Sequence, residues 1–509
     1  MANPLYDQLF GRHAGAQTPF LHLATGVTLT HDAFLRRAAQ FAHVLAGTGL
    51  RPGDRLAAQI HKSPEALALY AACAQAGVVF LPLNTAYTAA ELQYFIEDSG
   101  ASLIVCDGAS EVEMAEMASD LGARLAVLNA DGTGSLAMAA DGQPEMFDTA
   151  DRGADDLAAL LYTSGTTGRS KGAMLSQRNL LSNSEALVEC WRFTDQDVLL
   201  HALPIFHTHG LFVATNVTLI AGGSMIFLPK FDAEEVLTRL PEATSMMGVP
   251  TFYTRLLDQP GFDRAAAAHM RLFVSGSAPL LAETHASFEA RTGHAILERY
   301  GMTETNMNTT NPYDGARRAG TVGMPLPGVE LKITDPGTGE TLAQGEVGQI
   351  EVRGPNVFQG YWKMPEKTAE ELRADGFFIT GDLGLIDDQG YVQIVGRGKD
   401  LIISGGYNIY PKEIELVLDA QLGVCESAVI GVPHPDFGES VVAVLVAEKD
   451  AQPDMAQIEI AVGKELARFK HPRRMITLEA LPRNTMGKVQ KNVLRETYSA
   501  IFMQSESVE

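Results

Sequence analysis

Short apolar runs alternate with amphipathic segments along the N-terminal part of the chain, which predicts parallel strands covered by helices. Ser63 and Pro64 are typical of a helix start, and Gly77 is typical of a helix end. A helix is therefore expected over 66–76, followed by a buried strand over 78–81. The fold class that this alternation predicts is α/β, with layered sheets of parallel type.

The same unit recurs further along the chain. Thr88 and Glu91 form a capping box, which predicts a second helix that ends near Gly100. A strand is expected next, over 102–106, and the apolar run 157–162 predicts another. The remaining segments predicted in this way are a helix over 232–240 and strands over 246–249 and 272–274.

The pattern changes over 329–395, where short alternating strands and tight turns predict an antiparallel, barrel-like β subdomain. A glycine-flanked charged connection, 396–400, follows it and leads into an α+β pattern. Glycines there would let the backbone absorb large dihedral changes, as a hinge requires. The expected organisation is an N-terminal domain over 1–397, a hinge over 398–400 centred on Lys399, and a C-terminal lid over 401–509.

The composition is that of a soluble globular protein, with 46% of the 509 residues hydrophobic and 20% charged. A formal charge of −23 argues against nucleic-acid and anionic-membrane partners, because an acidic surface repels both. The four cysteines are scattered in apolar surroundings, which favours a reducing cytoplasm over a disulfide framework or a zinc site. We find no apolar run long enough for a membrane span and no secretory or peroxisomal signal.

One exception to the acidic balance lies between Lys464 and Arg495, where nine basic residues accompany two acidic ones. Such a segment suits a small phosphorylated ligand better than a duplex, because the rest of the chain is acidic. The alternative is an ordinary solvated basic face.

The segment 163–172 carries three glycines, five hydroxyl side chains, two cations and no acid. A loop of this composition after a buried strand is typical of polyphosphate binding, since N–H groups and hydroxyls can surround an anion. It departs from the P-loop pattern, which requires glycine where Ser170 precedes Lys171. The segment therefore predicts a nucleotide site of another kind, the alternative being a flexible surface linker.

Seven short segments together form the pattern of one known superfamily. They are 163–172, 275–279, 300–304, 380–382, 396–397, 404–408 and 483–488. In order and spacing they resemble the adenylate-forming enzymes, which comprise acyl-CoA synthetases, luciferases and peptide-synthetase adenylation domains. The resemblance spans nearly the whole chain and implies a large N-terminal α/β domain with a small mobile lid. It also implies an AMP-forming acid–thiol ligase that uses ATP, Mg²⁺ and CoA.

By this resemblance, several of these segments hold the nucleotide. The residues assigned to its phosphates are Thr163, Ser164, Gly165, Thr166, Thr167, Gly168 and Lys171. Those assigned to the adenine side are Ser275, Gly276, Ser277, Ala278, Pro279, Tyr300, Gly301 and Met302, and those assigned to the ribose are Asp382 and Arg397. Without the resemblance, the ribose pair would predict only surface turns.

Two neighbouring residues, Thr303 and Glu304, are implied to act at the reacting phosphate. Thr303 would donate to the α phosphate, and Glu304 would bind Mg²⁺ together with Thr166, since Mg²⁺ prefers few carboxylates plus phosphate oxygens. Taken alone, Thr303 and Glu304 would predict a helix cap.

Lys488 is implied to have the largest catalytic role. Its ammonium would reach between the substrate carboxylate and the α phosphate, where negative charge develops as the acyl-adenylate forms. Taken alone, a lysine after glycine near the C-terminus is usually a solvated side chain. Because acetylation would neutralise this lysine, a lysine acetyltransferase acting at Lys488 is a candidate partner.

The second half-reaction needs a thiol to approach the acyl carbonyl, and a lid rotation about Lys399 would make room for it. Gly405 and Gly406 would then let the pantetheine arm of CoA pass close to the backbone. The cations offered to the CoA phosphates are Lys470, Arg473 and Arg474.

The resemblance also places the acyl substrate. Its expected contacts are Thr208, His209, Ser277, Arg299 and Met302. His207 and His209 are alternatively metal ligands, but no third ligand at suitable spacing accompanies them, so walls of the acyl pocket are favoured.

Arg299 is the unusual member of this set, because a pocket for fatty or aromatic acids has little use for a buried cation. An unpaired buried charge costs about 3–5 kcal/mol, so we expect a substrate group to pair with Arg299. A second carboxylate on a short acid would do so, with Ser277 as a further donor. In this detail, and in the wording of 298–305, the chain resembles malonyl-CoA synthetases. The implied substrate is malonate, with methylmalonate as a further candidate. The competing interpretation is that Arg299 pairs with Glu298 or another acid.

Other classes of function stay open on sequence alone. A peptide-synthetase adenylation module would need an acid for the substrate ammonium and a carrier domain, and we see no carrier segment after residue 495. A luciferase-like oxygenase shares the fold. A non-catalytic scaffold is expected to lack Glu304 or Lys488, and both are present. The nearest alternatives are an acyl-CoA synthetase for another short-chain or aromatic acid and a stand-alone adenylation enzyme.

Overall fold

The computed structural model describes residues 3–163, 170–404, 407–435, 437–449, 451–466, 468–484 and 487–502. Contacts divide the chain into two compact units, one of residues 1–331 and 352–378 and one of residues 332–351 and 379–509. The second unit thus includes segments that the sequence analysis assigned to the N-terminal domain. The hinge at 398–400 stays a prediction, because it concerns a motion.

One sheet of the first unit has, among the described residues, the strand order Arg124–Val127, Leu103–Cys106, Arg55–Gln59, Val79–Pro82, Leu157–Thr163 and Lys171–Ser176. Neighbouring strands are parallel except at the last pair, where Thr163 faces Lys171 across an antiparallel edge. The strand predicted over 157–162 is confirmed. It ends where the glycine-rich segment begins, and residues 164–169 of that segment lie outside the described ranges.

A second, larger sheet of the first unit has the order Met324–Pro325, Asn306–Thr310, Leu297–Met302, Leu272–Ser275, Ser245–Gly248, Val198–His201, Ser224–Phe227, Pro19–Leu23 and Thr28–Thr30. Its centre is parallel and its edges are antiparallel. From Val198–His201 the chain passes to Ser224–Phe227 on one side and then to Ser245–Gly248 on the other. Open α/β sheets bind ligands at the carboxyl ends of strands beside such a switch point.

Helices of the first unit begin and end where the sequence signals predict. Ser63 accepts a hydrogen bond from the N–H of Ala66 to open Pro64–Ala76, and Gly77 ends that helix at φ +72°. The capping box of Thr88 and Glu91 is also present. The α-helices are Pro4–Leu9, His31–Gly47, Pro64–Ala76, Ala89–Ser99, Glu111–Leu121, Ser135–Ala140, Gln177–Trp191, Asn216–Ala221, Ala233–Arg239, Pro250–Leu257, Ala282–Thr292 and Pro365–Glu371, with a π-helix at His209–Thr215.

The second unit is smaller and combines sheets with few helices. A four-stranded sheet, Glu330–Thr334, Gly348–Arg353, Phe378–Ile386 and Val392–Arg397, occupies the stretch expected to be a β subdomain. The other sheet has the order Tyr407–Ile409, Ile402–Ser404, Gly438–Ala447 and Val424–His434, and Arg474–Leu478 pairs with Gly438–Ala447. The helices are Pro411–Asp419, Met455–Glu465 and Lys491–Tyr498.

The predicted fold class is confirmed: layered, largely parallel sheets form a large N-terminal part, and a small α+β part follows. Apolar side chains fill the space between each sheet and its helices, as in the cluster of Tyr253, Phe273 and Phe288, which meet edge to face. In the described portion of the chain, no helix combines the length and apolar character that crossing a membrane would need.

Candidate active site

A tight hairpin places the two residues implied to act at the reacting phosphate. Leu297–Met302 and Asn306–Thr310 pair antiparallel, and Thr303 and Glu304 form the turn between them. Gly301 allows this approach, because a Cβ there would lie 1.9 Å from the carbonyl oxygen of Asn306. The alternative interpretation of Thr303 and Glu304 as a helix cap is wrong, since the turn joins two strands.

Glu304 is buried and brings distant segments together. Its Oε1 accepts hydrogen bonds from Thr163 Oγ1 at 3.3 Å and from the hydroxyl of Tyr361 at 3.2 Å. Its backbone carbonyl accepts a bond of 2.8 Å from the N–H of Phe358. The carboxylate is therefore fixed beside Thr163, the first residue of the glycine-rich segment.

Lys171 lies on the other strand that flanks the glycine-rich segment, and it is held by groups that sequence analysis did not identify. Its Nζ is 3.1 Å from each carboxylate oxygen of Glu371 and 4.0 Å from the ring centre of Tyr361. The hydroxyl of Tyr361 donates to Glu371 Oε2 at 2.6 Å, and Lys367 lies 2.9 Å from Oε1. Glu304, Tyr361, Glu371 and Lys171 thus form one continuous polar cluster.

The charges of this cluster follow from its contacts. Burial acts to raise the pKa of Glu371, but hydrogen bonds from Tyr361, Lys367 and Lys171 outweigh it and hold the pKa below its usual value. Burial and the two neighbouring carboxylates raise the pKa of the Tyr361 phenol, which therefore stays protonated. Because it carries a single proton, Tyr361 can donate to only one of the two carboxylates at a time.

A second set of predicted residues gathers at the carboxyl ends of the central strands. Ser277 follows the strand Leu272–Ser275 and takes the left-handed conformation, with φ +72°. Its Oγ lies 3.2 Å from Nδ1 of His209, the first residue of the π-helix. Such non-Gly residues at positive φ and π-helical turns are enriched at functional sites.

Arg299 enters the same region from the neighbouring strand Leu297–Met302. Its guanidinium lies against Gly276, where a Cβ would come within 2.3 Å of Cζ. The side chain is buried, and Nε and Nη2 have no hydrogen-bond partner among the described residues. Burial lowers the pKa of Arg299 to about 9, although Tyr253 opposes this. Within the described ranges it forms no ion pair with Glu298 or another acid, so that competing interpretation is wrong.

The remaining groups predicted for the acyl substrate lie near Arg299. Thr208 is buried with an unpaired hydroxyl, and Nε2 of His209 is also buried and unpaired among the described residues. Burial, and then the charge of Arg299, hold the pKa of His209 well below its usual value, so the ring is neutral. Tyr300 is buried and Met302 half-buried on the same strand as Arg299. The described residues contain no group of three or more His, Cys, Asp or Glu side chains arranged to hold a metal.

The second unit carries the residues predicted for the ribose and for the catalytic lysine. Asp382 and Arg397 are cross-strand partners, with Arg397 Nε 2.9 Å from Asp382 Oδ1. Lys488 follows Gly487, whose φ is +75°, and its N–H donates to Asn484 Oδ1 at 2.9 Å.

The groups predicted to bind CoA are only partly described. Lys470 forms an ion pair with Glu413 at 2.5 Å, and the guanidinium of Arg473 lies 4.3 Å from the ring centre of Phe437. Arg474 is exposed at the start of its strand. The other predictions fall outside the described residues, namely Ser164, Gly165, Thr166, Thr167, Gly168, Gly405 and Gly406.

Two known protein families match the chain, each over a different part of it. The AMP-binding enzyme family matches residues 11–362, and the AMP-binding enzyme C-terminal domain matches residues 413–488. The chain therefore belongs to the AMP-binding enzymes, which confirms the family predicted from the seven segments.

Several characterised proteins resemble the chain over most of its length. A malonate–CoA ligase of Arabidopsis thaliana is 37% identical and covers 89% of this chain and 79% of its own. A feruloyl-CoA synthase of Amycolatopsis is 38% identical and covers 93% and 94%. The crystal structure of ATP-bound MatB from Rhodopseudomonas palustris is 60% identical, covers 99% and 100%, and superposes with a TM-score of 0.97.

Proposed function

We propose that the protein ligates malonate to coenzyme A in two steps, using ATP and releasing AMP and diphosphate. The observation that carries this proposal is the buried guanidinium of Arg299, whose Nε and Nη2 have no partner among the described residues. Leaving such a charge unpaired costs about 3–5 kcal/mol, and a carboxylate that bonds it bidentately offsets that cost. Malonate offers a second carboxylate for this purpose while its first carboxylate reacts. Methylmalonate offers the same group with one additional methyl.

His209 and Ser277 complete the recognition of that second carboxylate. With the Ser277 hydroxyl donating to Nδ1, the neutral ring of His209 carries its proton on Nε2, which is buried and aimed away from Ser277. Nε2–H then donates to the carboxylate that Arg299 binds. A monocarboxylic acid leaves Arg299 and the Nε2–H of His209 without an acceptor, which is the basis of the selectivity that we propose.

In the first step, a carboxylate oxygen of malonate attacks the α phosphorus of ATP, and diphosphate leaves. Thr303 donates to the α phosphate, and Lys171 binds the outer phosphates. Glu304 and the hydroxyls of Thr163 and Thr166 suit Mg²⁺, which takes few carboxylates and completes its shell with phosphate oxygens. When bound, this ion offsets the negative charge of the phosphates.

Three residues of the second unit also take part in adenylation in this proposal. Lys488 stabilises the charge that develops on the oxygens bridging the acyl group and phosphorus. Asp382 and Arg397 bind the ribose hydroxyls in this proposal, and the ion-paired carboxylate of Asp382 retains acceptor capacity for them.

In the second step, the thiol of CoA attacks the acyl carbonyl of malonyl-adenylate, loses its proton and displaces AMP. The proposed route is a rotation about Lys399 that withdraws Lys488 and presents Gly405 and Gly406 to the pantetheine arm. Lys470, Arg473 and Arg474 remain the proposed contacts of the CoA phosphates. Acetylation of Lys488 by a lysine acetyltransferase and a cytoplasmic location stay predictions.

The relatives support the use of ATP and the ligation to CoA more directly than the identity of the acid. ATP is present in the MatB crystal structure, and the names of both other relatives are those of CoA ligases. The malonate and feruloyl enzymes are about equally similar to this chain, whereas MatB is 60% identical. Within the structure, the choice of malonate rests on Arg299.

The test is thioester formation with ATP, Mg²⁺ and CoA over a panel of malonate, methylmalonate, propionate, butyrate and ferulate. Arg299→Ala should lower kcat/KM for malonate by about 100-fold or more, the effect of losing a charged hydrogen-bonding partner, and by less than about threefold for propionate. Arg264→Ala, at an exposed arginine, is the matched control and should change neither. Equal losses on malonate and propionate would contradict the proposal, as would a wild-type preference for ferulate.

A further inference from the structure

Lys62 is a half-buried basic residue to which the proposed mechanism gives no role. It follows the strand Arg55–Gln59 and precedes the helix Pro64–Ala76, and its Nζ reaches the larger sheet. There it lies 2.8 Å from both Nδ1 and the carbonyl oxygen of His201, and 4.3 Å from the ring centre of Phe227. No carboxylate among the described residues pairs with it, and burial holds its pKa well below the usual value.

The contacts of His201 fix the direction of this hydrogen bond. Nε2 of His201 lies 2.9 Å from the carbonyl oxygen of Gly210, which can only accept. Nε2 is therefore protonated, and burial, followed by the nearby Lys62, lowers the pKa of His201 far enough that Nδ1 is an acceptor. Lys62 thus donates to His201, and His201 donates to Gly210.

The hydrogen bonds from Lys62 through His201 to the Gly210 carbonyl form a relay, and Gly210 connects this relay to the acyl site. It follows His209 directly in the π-helix, and Thr215 Oγ1 donates to the same Gly210 carbonyl at 2.9 Å. The backbone is tightly enclosed, because a Cβ on Gly210 would lie 1.9 Å from the carbonyl oxygen of Pro204. A fixed Gly210 carbonyl therefore fixes the adjacent His209, whose ring meets Ser277.

The position of His201 adds to this argument. It ends the strand Val198–His201, at which the order of the larger sheet reverses. Lys62 comes from the carboxyl end of a strand in the other sheet. The relay thus connects the carboxyl ends of strands in the two sheets beside the switch point, where open α/β sheets bind ligands.

We propose that Lys62 is a positioning residue for recognition of the second carboxylate. Through His201 and the Gly210 carbonyl, it orients the Nε2–H of His209 toward the carboxylate that Arg299 binds. This inference rests on the proposed function. It predicts that Lys62 governs the selectivity for a dicarboxylic acid without touching the substrate or the nucleotide.

The experiment measures KM for malonate, KM for ATP, and the malonate-to-propionate ratio of kcat/KM. Lys62→Met keeps the length of the side chain and removes the donor. It should raise KM for malonate about tenfold and lower the malonate-to-propionate ratio by the same factor, which corresponds to a loss of about 1.4 kcal/mol in binding free energy. KM for ATP should stay within about twofold. Lys62→Arg restores a donor and should recover most of the ratio. Lys230→Met, at an exposed lysine, is the control.

Thr215→Val provides an independent measurement if Lys62→Met folds poorly. It removes the second donor to the Gly210 carbonyl and should shift the malonate-to-propionate ratio in the same direction. The inference is overturned if every folded variant keeps the wild-type ratio, or if KM for malonate and KM for ATP rise by equal factors. A wild-type protein that forms no malonyl-CoA would contradict the proposed function instead.

Discussion

The ammonium of Lys171 lies 3.1 Å from both carboxylate oxygens of Glu371, a residue 200 positions away in the chain. The side chain of Lys171 is 9% exposed and that of Glu371 is 21% exposed, so the pair is largely removed from water. Partly buried pairs of this kind are costly to break, because the remaining partner keeps its charge without compensation.

Glu371→Gln should therefore lower the free energy of unfolding by about 2 kcal/mol, less than the roughly 3–5 kcal/mol of a fully buried ion pair because Glu371 is 21% exposed. The neighbouring Glu370→Gln is the matched control. Among the described residues Glu370 bonds only Lys367, at the surface, so its loss should cost less than about 0.5 kcal/mol. Denaturant unfolding of the two variants measures the difference, and equal stabilities would show that the Lys171–Glu371 pair contributes nothing.

Gly276→Ala should displace the guanidinium of Arg299, because the added Cβ would lie 2.3 Å from Cζ. We expect KM for malonate to rise about tenfold, a size typical of a misplaced binding group. Gly261→Ala is the control, since its Cβ would meet only Leu237, at 3.4 Å. In the Arg299→Ala background, Gly276→Ala should have no further effect on malonate. A full additional loss in that double variant would contradict the steric explanation.

Lys488→Met should separate the two half-reactions. The loop that carries Lys488 is held by the left-handed Gly487 and by the bond to Asn484, so the substitution leaves the backbone in place. Exchange of diphosphate into ATP in the presence of malonate should fall about 100-fold or more, the loss expected for one charge-stabilising group. Conversion of chemically prepared malonyl-adenylate to malonyl-CoA should change little. The opposite pattern would remove Lys488 from adenylation, and Lys449→Met, at an exposed lysine, is the control.

A buried histidine pair should make stability depend on pH. The rings of His13 and His31 stack 4.4 Å apart, and each donates to a backbone carbonyl. Burial, followed by the charge of His13, lowers the pKa of His31 to about 4, and burial also lowers the pKa of His13.

The unfolded chain therefore binds more protons than the folded protein between pH 6.5 and pH 4, so stability is complete above pH 6.5 and falls as the pH drops toward 4. For His31 alone the loss amounts to about 3 kcal/mol. His31→Phe should flatten the curve of unfolding free energy against pH, whereas His269→Phe, at an exposed histidine, should not. Parallel curves for wild type and His31→Phe would contradict this explanation.

Local sequence signals predicted much of the fold. Ser63, Gly77 and the Thr88–Glu91 box mark helix ends through bonds to neighbouring residues, so a short window contains the necessary information. Thr303 and Glu304 were harder, because their turn is defined by the antiparallel pairing of the strands on either side of it and not by a local capping signal.

The supporting residues of the site were not predictable in the same way. Glu371 looks like Glu370 in sequence, and only tertiary contacts distinguish its partner Lys171 from a solvated lysine. Lys62 did offer a signal, since a lysine between an apolar strand and a helix cap lies at the carboxyl end of a parallel sheet. Its partner His201, 139 residues away, offered none.

The Lys171–Glu371 pair also bears on how a nucleotide would enter. Phosphate oxygens that reach Lys171 replace an anion that is already there, so the event resembles ion exchange more than the neutralisation of a bare cation. Few counterions need to leave this ammonium when a phosphate arrives. Nucleotide affinity at this residue should accordingly vary less with ionic strength than it would at an isolated lysine.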